Sequence, residues 1–304
     1  MWGGVIVARD WESTFGSWAA PPGKTEEQRC ENAIKAIRNA ISASTQLNYR
    51  DIRVFVQGSY QNNVNVRQNS DVDVAVLCGD VFFYDLPQGK TQADFEIKDA
   101  SYMYSQFKDE VGAALVSYFG ASAVRRGNKA FDIKENSYHV DADVAPFFEH
   151  RRYPLSGQPL SGVELRPDLG GRVINWPEQH YENGVSKNTA TGRRYKGVVR
   201  ILKKLAIEME AQGIAVARNV PGFFIECLTW NVPNDRFGQP TWARDVHGAI
   251  AFLWANTRTE ETCSEWGEVS ELLYLFRGSP ASKRESAHAF IDGAWDYIGG
   301  PNAV

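Results

Sequence analysis

Cysteine is sparse in this chain. Cys30, Cys78, Cys227 and Cys263 are widely separated, and no two stand as a CxxC pair. That spacing excludes a zinc ribbon and a disulfide framework, and reads as four buried or inert thiols in a reducing compartment. A run of about 20 apolar residues is also missing, so no membrane span is expected. The stretch Arg9-Asp10-Trp11-Glu12 does not have the pattern of a secretory leader, and a cytoplasmic location is the expectation. Basic excess is absent as well. The formal net charge is −4, whereas a duplex-binding surface ordinarily carries a positive balance. With no Cys/His cluster either, stimulation by duplex DNA is not expected. There is no internal repeat and no low-complexity tract. A chain of 304 residues suffices for one large domain or two lobes sharing a core.

What is present divides into two halves. Ala33, Ile34, Ala36, Ile37, Ala40 and Ile41 recur at helical spacing and predict a helix over 24–44. Residues 52–57 alternate as a strand and stop at Gly58-Ser59. Residues 72–77 read as a second, largely apolar strand. A loop is predicted over 88–98, a helix over 97–119, and β-like segments over 121–125, 130–134 and 138–148. Residues 151–186 are rich in Pro and Gly and read as a long connection holding at most a short β-ribbon. Helices are then predicted over 191–209, from Pro221 to Trp230, over 242–256 and over 281–298. The first half is thus mixed α/β and the second mainly α. The lobes are placed at 1–175 and 176–304, with the N-terminal helix able to pack on the second lobe.

The chemistry concentrates at Gly58-Ser59 and Asn69-Ser70-Asp71-Val72-Asp73-Val74. In a strand, Asp71 and Asp73 point to the same face, about 6–7 Å apart along the backbone. Two such carboxylates repel unless cations neutralise them, and Mg²⁺ is a hard cation that takes oxygen ligands. Two metals need a third carboxylate nearby, and Asp141 or Asp143 in His139-Val140-Asp141-Ala142-Asp143 supplies it. Gly58 permits close backbone approach to an anion, and Ser59 with exposed N–H groups can hold a triphosphate. The plain alternative for each D-x-D taken alone is a solvated strand face.

Taken together, Gly58-Ser59, Asp71-x-Asp73 twelve residues after Ser59, and a later aspartate resemble the DNA polymerase β-like nucleotidyltransferase superfamily. Gly58-Ser59-Tyr60-Gln61-Asn62 and Ser70-Asp71-Val72-Asp73 look like the bacterial cGAS-like branch, the CD-NTases. His180-Tyr181-Glu182-Asn183-Gly184, Lys187-Asn188, Tyr195-Lys196, Val199-Arg200-Ile201-Leu202-Lys203 and Val220-Pro221-Gly222-Phe223-Phe224-Ile225-Glu226 resemble its CdnE clade.

The resemblance implies a catalytic α/β lobe with a mixed sheet and a helical C-terminal lobe. It also implies a cytoplasmic enzyme that joins nucleoside triphosphates (ATP, and UTP or another) into a cyclic di- or trinucleotide messenger of anti-phage defence. Two Mg²⁺ ions, replaceable by Mn²⁺, would sit on Asp71, Asp73 and Asp143. Asp143 is preferred because Asp143-Val144-Ala145-Pro146 matches the branch's pattern, leaving Asp141 and His139 behind it. Gln57, Gly58 and Ser59 would cradle phosphates, and Lys203 would hold the triphosphate. Lys187, Asn183, Asn188, Lys196 and Arg200 are further nucleotide-binding candidates. Lys196, Arg200 and Lys203 share a helix face, for which a solvated surface is the plain alternative. Asn175 joins Asn183 and Asn188 as a base reader, and Tyr181, Trp176 and Trp230 are candidates for base stacking. A downstream effector protein and a monomeric state are expected. The rival readings are a linear oligonucleotide synthase, another nucleotidyltransferase of the superfamily, and a catalytically silent nucleotide sensor.

Overall fold

The computed structural model describes residues 9–21, 23–66, 71–218 and 220–300. Asn69 and Ser70 of the motif lie outside them. The described residues fall into two compact units: a sheet unit over 23–62 and 71–178, and a helical unit over 9–21, 63–66, 179–218 and 220–300.

In the sheet unit, the 3.6-residue apolar stripe Ala33, Ile34, Ile37, Ala40 and Ile41 is buried on helix α2 (Lys24–Ser42). Strand β1 (Ile52–Gln57) runs directly into the one-turn helix α3 (Gly58–Gln61), and β2 spans Val72–Asp85. Helix α4 (Tyr104–Phe119) carries the chain back to the strands β3 (Val124–Arg126), β4 (Phe131–Ile133), β5 (Ala142–Arg152), β6 (Leu160–Leu165) and β7 (Val173–Asn175). The sheet order is β1-β2-β5-β4-β3, with β6 beside β5 and β7 beside β6. Among the described residues, only β2 and β5 pair in parallel, which a long crossover through α4 allows. These two central strands are buried on both faces along most of their length, and their Val, Ala and Phe residues form the core with α2 and α4.

The helical unit contains α1 (Trp11–Ala19), most of α5 (Pro177–Ala190), α6 (Tyr195–Ala211), α7 (Gly222–Trp230), α8 (Trp242–Thr257) and α9 (Ala281–Tyr297). Its core gathers Phe15, Tyr195, Leu202, Ile250, Leu253 and Phe290. Glu12 on α1 accepts hydrogen bonds from the first backbone N–H groups of α8, Trp242 and Ala243, at 3.1 and 2.8 Å. It satisfies donors that have no intrahelical partner and pins α1 to α8. Among the described residues, no helix is long and apolar enough to cross a membrane. All four cysteines are buried and free, and burial pushes the Cys30 and Cys78 thiols up to about 11.

Three sequence expectations need correction. The stretch 151–186 does hold a short antiparallel ribbon, β6 with β7, but it is not mostly connection, because it also contains the start of α5. The α5 sequence is polar with a mid-helix Gly184, so its apolar stripe is faint. The helix expected over 191–209 begins at Tyr195, because Gly192 and Arg193 take positive φ of 60° and 67° and break α5 from α6. The predicted helix over 24–44 packs in the sheet unit. It is the shorter α1, not predicted, that belongs to the helical unit.

Candidate active site

The carboxylates meet through strand register. Asp73 on β2 stands opposite Asp143 on β5, and Asp143 stands opposite Asp132 on β4. Residues directly across from one another on adjacent strands point to the same face, with strands about 4.8 Å apart. Asp71, at the mouth of β2, joins this face two residues earlier. Asp143 is consequently pushed up to about 7, first by burial, then by the charges of Asp132, Asp73 and Asp71. Asp132 also hydrogen-bonds Asp143 and forms an ion pair with Arg125.

Asp132 was not among the residues singled out from the sequence. In Phe131-Asp132-Ile133 it looks like the outward residue of a short strand, and only the pairing to β5 reveals its place.

Gly58 closes the other side. Gln57, the last residue of β1, pairs with Asp73, and Gly58 follows at φ 68°. A Cβ on Gly58 would lie 2.0 Å from Asp73 Oδ2. Both the backbone angle and the contact therefore demand glycine. The half-buried Ser59 follows in α3, whose first turn receives no side-chain cap from Gln57.

Asp141 and His139 support this face from behind. The Asp141 carboxylate accepts the Glu135 backbone N–H at 2.5 Å, and its carbonyl accepts that of Val72 at 3.1 Å, so it shapes the entry to β5. His139 is buried. Its Nδ1 lies 2.8 Å from the Val140 carbonyl and its Nε2 3.0 Å from Asn136 Nδ2. Both ring nitrogens are thus engaged by the loop.

Among the described residues, no group of three or more His, Cys, Asp and Glu side chains has closed around a metal-sized point. The donor set nevertheless fits Mg²⁺. It is made only of carboxylate oxygens, and their mutual repulsion, expressed at Asp143, is what a divalent cation relieves. Mg²⁺ commonly takes one or two carboxylates and completes its shell with water and substrate phosphate.

In the helical unit, Lys196, Arg200 and Lys203 do share one face of α6, but they are buried, with exposures of 8, 7 and 5%. The stripe is therefore not a solvated surface. Arg200 is committed to the backbone: it donates to the carbonyl oxygens of Ala19 at 2.7 Å and Asn63 at 2.5 Å. Lys203 Nζ lies 3.4 Å from Glu226 Oε2, and Lys196 lies over the Tyr181 ring. Burial lowers both lysines from their usual range.

Lys187 donates to the Val232 carbonyl at 2.7 Å and to Asn234 Oδ1 at 2.9 Å, above the rings of Trp230, Phe237 and Tyr195. Burial brings its ammonium down to about 8. Asn183 donates to Val269 O, and Asn188 accepts from the Lys196 backbone N–H. Asn175 lies in β7 of the sheet unit. Trp176 is buried and Trp230 packs on Tyr195, whereas Tyr181 is 39% exposed.

The comparisons with known proteins bear on the family and the fold. Residues 182–299 match the cGAS/DncV-like nucleotidyltransferase C-terminal helical domain. The chain is 42% identical to the cyclic dipyrimidine nucleotide synthase CdnE of Cecembia lonarensis, over 96% of this chain and 99% of that one. It is 40% identical to the synthase of the same name from Legionella pneumophila, over 95 and 98%. The structure of the Elizabethkingia meningoseptica CdnE cyclic dinucleotide synthase with GTP and Apcpp superposes with a TM-score of 0.80 at 32% identity, covering 95% of this chain and 98% of that one. The fold is that of a nucleotidyltransferase of this kind, and the chain belongs to the cGAS/DncV-like nucleotidyltransferases, in their CdnE clade.

Proposed function

We propose that this enzyme joins two or three nucleoside triphosphates into a cyclic oligonucleotide, releasing pyrophosphate at each bond, as a messenger in anti-phage defence. The observation that carries this reading is the register of Asp73 against Asp143, with Gly58 against the Asp73 carboxylate. Asp71, Asp73 and Asp143 would hold two Mg²⁺, or Mn²⁺ in their place. When bound, these ions lower the pKa of the attacking ribose hydroxyl and neutralise charge on the leaving pyrophosphate.

The chain's own residues then position the substrates, since phosphoryl transfer asks for alignment and electrostatics more than covalent chemistry. The backbone at Gly58 and Ser59, with Gln57 before it, lets the triphosphate approach Asp73 closely. Asp141 keeps β5 in place so that Asp143 stays level with Asp73. Lys203 is assigned to the triphosphate. Arg200 and Lys187, spent on backbone carbonyls, are assigned to holding the helical unit together. The exposed Tyr181 is assigned to base stacking.

Pyrimidine nucleotides are the proposed substrates, because the relatives at 42 and 40% identity over nearly the whole chain are dipyrimidine synthases. A separate effector protein would respond to the product.

The test is to incubate the purified protein with labelled ATP, GTP, CTP and UTP, singly and mixed, in Mg²⁺ and in Mn²⁺. Products would be treated with phosphatase and weighed by mass spectrometry. A phosphatase-resistant cyclic product containing U or C is expected. A linear, phosphatase-sensitive product would overturn the cyclic assignment, and a purine-only ring would overturn the choice of base.

A further inference from the structure

The motif Gly222-Phe223-Phe224-Ile225-Glu226 places one acidic residue in an otherwise apolar helix, and none of the steps above uses it. Glu226 is 3% exposed. A carboxylate taken out of water at that depth is costly unless it is paired. It has two partners on two neighbouring helices. Oε2 lies 3.4 Å from Lys203 Nζ on α6, and Oε1 lies 2.9 Å from His180 Nε2 on α5. The His180 ring is itself held, 9% exposed, against Phe223 with ring centroids 5.8 Å apart.

The lysine end of this chain reaches the start of α7. A Cβ added to the exposed Gly222 would stand 3.5 Å from Lys203 Cε and 3.8 Å from Nζ. There the first backbone N–H groups of α7 receive no side-chain cap, which favours an anion.

We infer that Glu226, braced by His180, is the positioning residue for Lys203, holding its ammonium protonated and aimed at the triphosphate. This rests on the assignment of Lys203 to the triphosphate made above.

The physical requirement is clear from the surroundings. A buried lysine is driven toward its neutral form by desolvation, and a neutral amine attracts phosphate poorly. Arg200 on α6 adds a like charge that pushes the same way, while Glu226 on α7 opposes it; the neighbouring Cys227 is held neutral by burial. Burial pushes the Glu226 carboxyl up, but Lys203 and His180 outweigh it, so it stays ionised. Lys196 also senses Glu226, and Glu268 faces His180 from the loop before α9. Among the described residues, Glu226 is placed with its Oε2 3.4 Å from the Lys203 ammonium.

The test measures binding of nonhydrolysable imido analogues of UTP and ATP, with Mg²⁺, by calorimetry at pH 7 and pH 9. The proteins are wild type, Lys203→Met, Glu226→Gln, the double variant and Glu226→Asp, with circular dichroism to confirm that each is folded. Expected are a loss of about tenfold or more in Lys203→Met and of about fivefold in Glu226→Gln at pH 7. The Glu226→Gln loss, read as the ratio to wild type at the same pH, should widen at pH 9, because an uncompensated Lys203 gives up its proton at lower pH. On the Lys203→Met background, Glu226→Gln should add less than about twofold, and Glu226→Asp should recover part of the affinity. Equal Glu226→Gln losses in both backgrounds, with no dependence on pH, would overturn the positioning role and leave Lys203 as a phosphate ligand. An unchanged affinity in Lys203→Met would instead overturn the assignment of Lys203 itself. If Glu226→Gln does not fold, Glu226→Asp and His180→Gln carry the same comparison, since each disturbs the brace without deleting the charge.

Discussion

In the sheet unit, Asp143 is surrounded by like charge from Asp132, Asp73 and Asp71. In the helical unit, the buried cations of α6 meet acceptors that the protein supplies: Lys203 meets Glu226, and Arg200 meets the carbonyl oxygens of Ala19 and Asn63. Clustered carboxylates oppose folding, and a protein that keeps them level across three strands keeps them for something that arrives later. Paired charges contribute to architecture first and reach a ligand only where one end lies against a surface position, as the buried Lys203 does against the exposed Gly222. On the proposed function, the difference separates residues that would act on the substrate from residues that shape the enzyme, although both groups are charged and partly or wholly buried.

The largest expected effect breaks the acidic side. Asp71→Asn with Asp73→Asn should lower turnover by about 10³-fold or more, as loss of metal-borne charge stabilisation does, with circular dichroism unchanged. Turnover within tenfold of wild type would remove the sheet unit from the chemistry.

Next comes a matched pair of glycines. Gly58→Ala forces a Cβ to 2.0 Å from the Asp73 carboxylate at a φ of 68°, and should cost about 10²-fold in kcat/KM, as misplacement by about an ångström does. Gly222→Ala meets Lys203 only at ordinary contact distance, 3.5 Å, and should change kcat/KM by less than about threefold, the scale of a substitution that creates no clash. Steady-state kinetics on both variants decides whether the close approach at Gly58, rather than glycine as such, matters.

How far the sequence carries the reading differs between the same two regions. Gly58, Asp71 and Asp73 are legible because strand alternation is local: two residues apart means one face. The choice of Asp143 over Asp141 came from resemblance to a family pattern. The structure adds a physical distinction, since Asp143 is level with Asp73 while the Asp141 carboxylate is bonded to the loop at Glu135. Asp132 was not legible, because cross-strand register is set by pairing that no local spacing reveals. In the helical unit, the face shared by Lys196, Arg200 and Lys203 followed from helical period, but its burial did not. Whether such a face meets water or protein depends on α1, α5 and α7 closing over it. The signal for Glu226 was present, as a single carboxylate inside an apolar helix is rarely buried unpaired, yet its partners His180 and Lys203 lie 46 and 23 residues away.

A smaller effect sharpens the assignment of Arg200. Arg200→Met leaves the Ala19 and Asn63 carbonyls without their donor, and should cost about 2–4 kcal/mol of stability by urea unfolding. Nucleotide affinity of the folded variant should stay within about twofold of wild type. A large loss of affinity at unchanged stability would return Arg200 to the binding residues and erase the contrast with Lys203.

The smallest effect reads the carboxylate cluster without any turnover. An aspartate in an unfolded chain has a pKa of about 3.9, whereas burial and then Asp132, Asp73 and Asp71 hold Asp143 at about 7 in the folded, metal-free protein. Between those values the folded state binds more protons than the unfolded one, so this group lowers stability as pH rises from about 4 to about 7 and adds no slope above that. Asp245 and Glu268, raised mainly by burial, slope the same way, and His247, lowered by burial, slopes the other way. The readout is therefore the difference between wild type and Asp143→Asn. In EDTA, the melting temperature of Asp143→Asn should exceed that of wild type by a few degrees at pH 7.5, on the order of 1–2 kcal/mol, and the gap should close toward pH 4.5. Saturating Mg²⁺ should reverse the gap at pH 7.5, because the bound ion stabilises only the protein that retains all its carboxylates. A gap that is flat with pH and indifferent to Mg²⁺ would mean that the four aspartates do not share one field. The acidic side of the comparison would then reduce to an ordinary strand face.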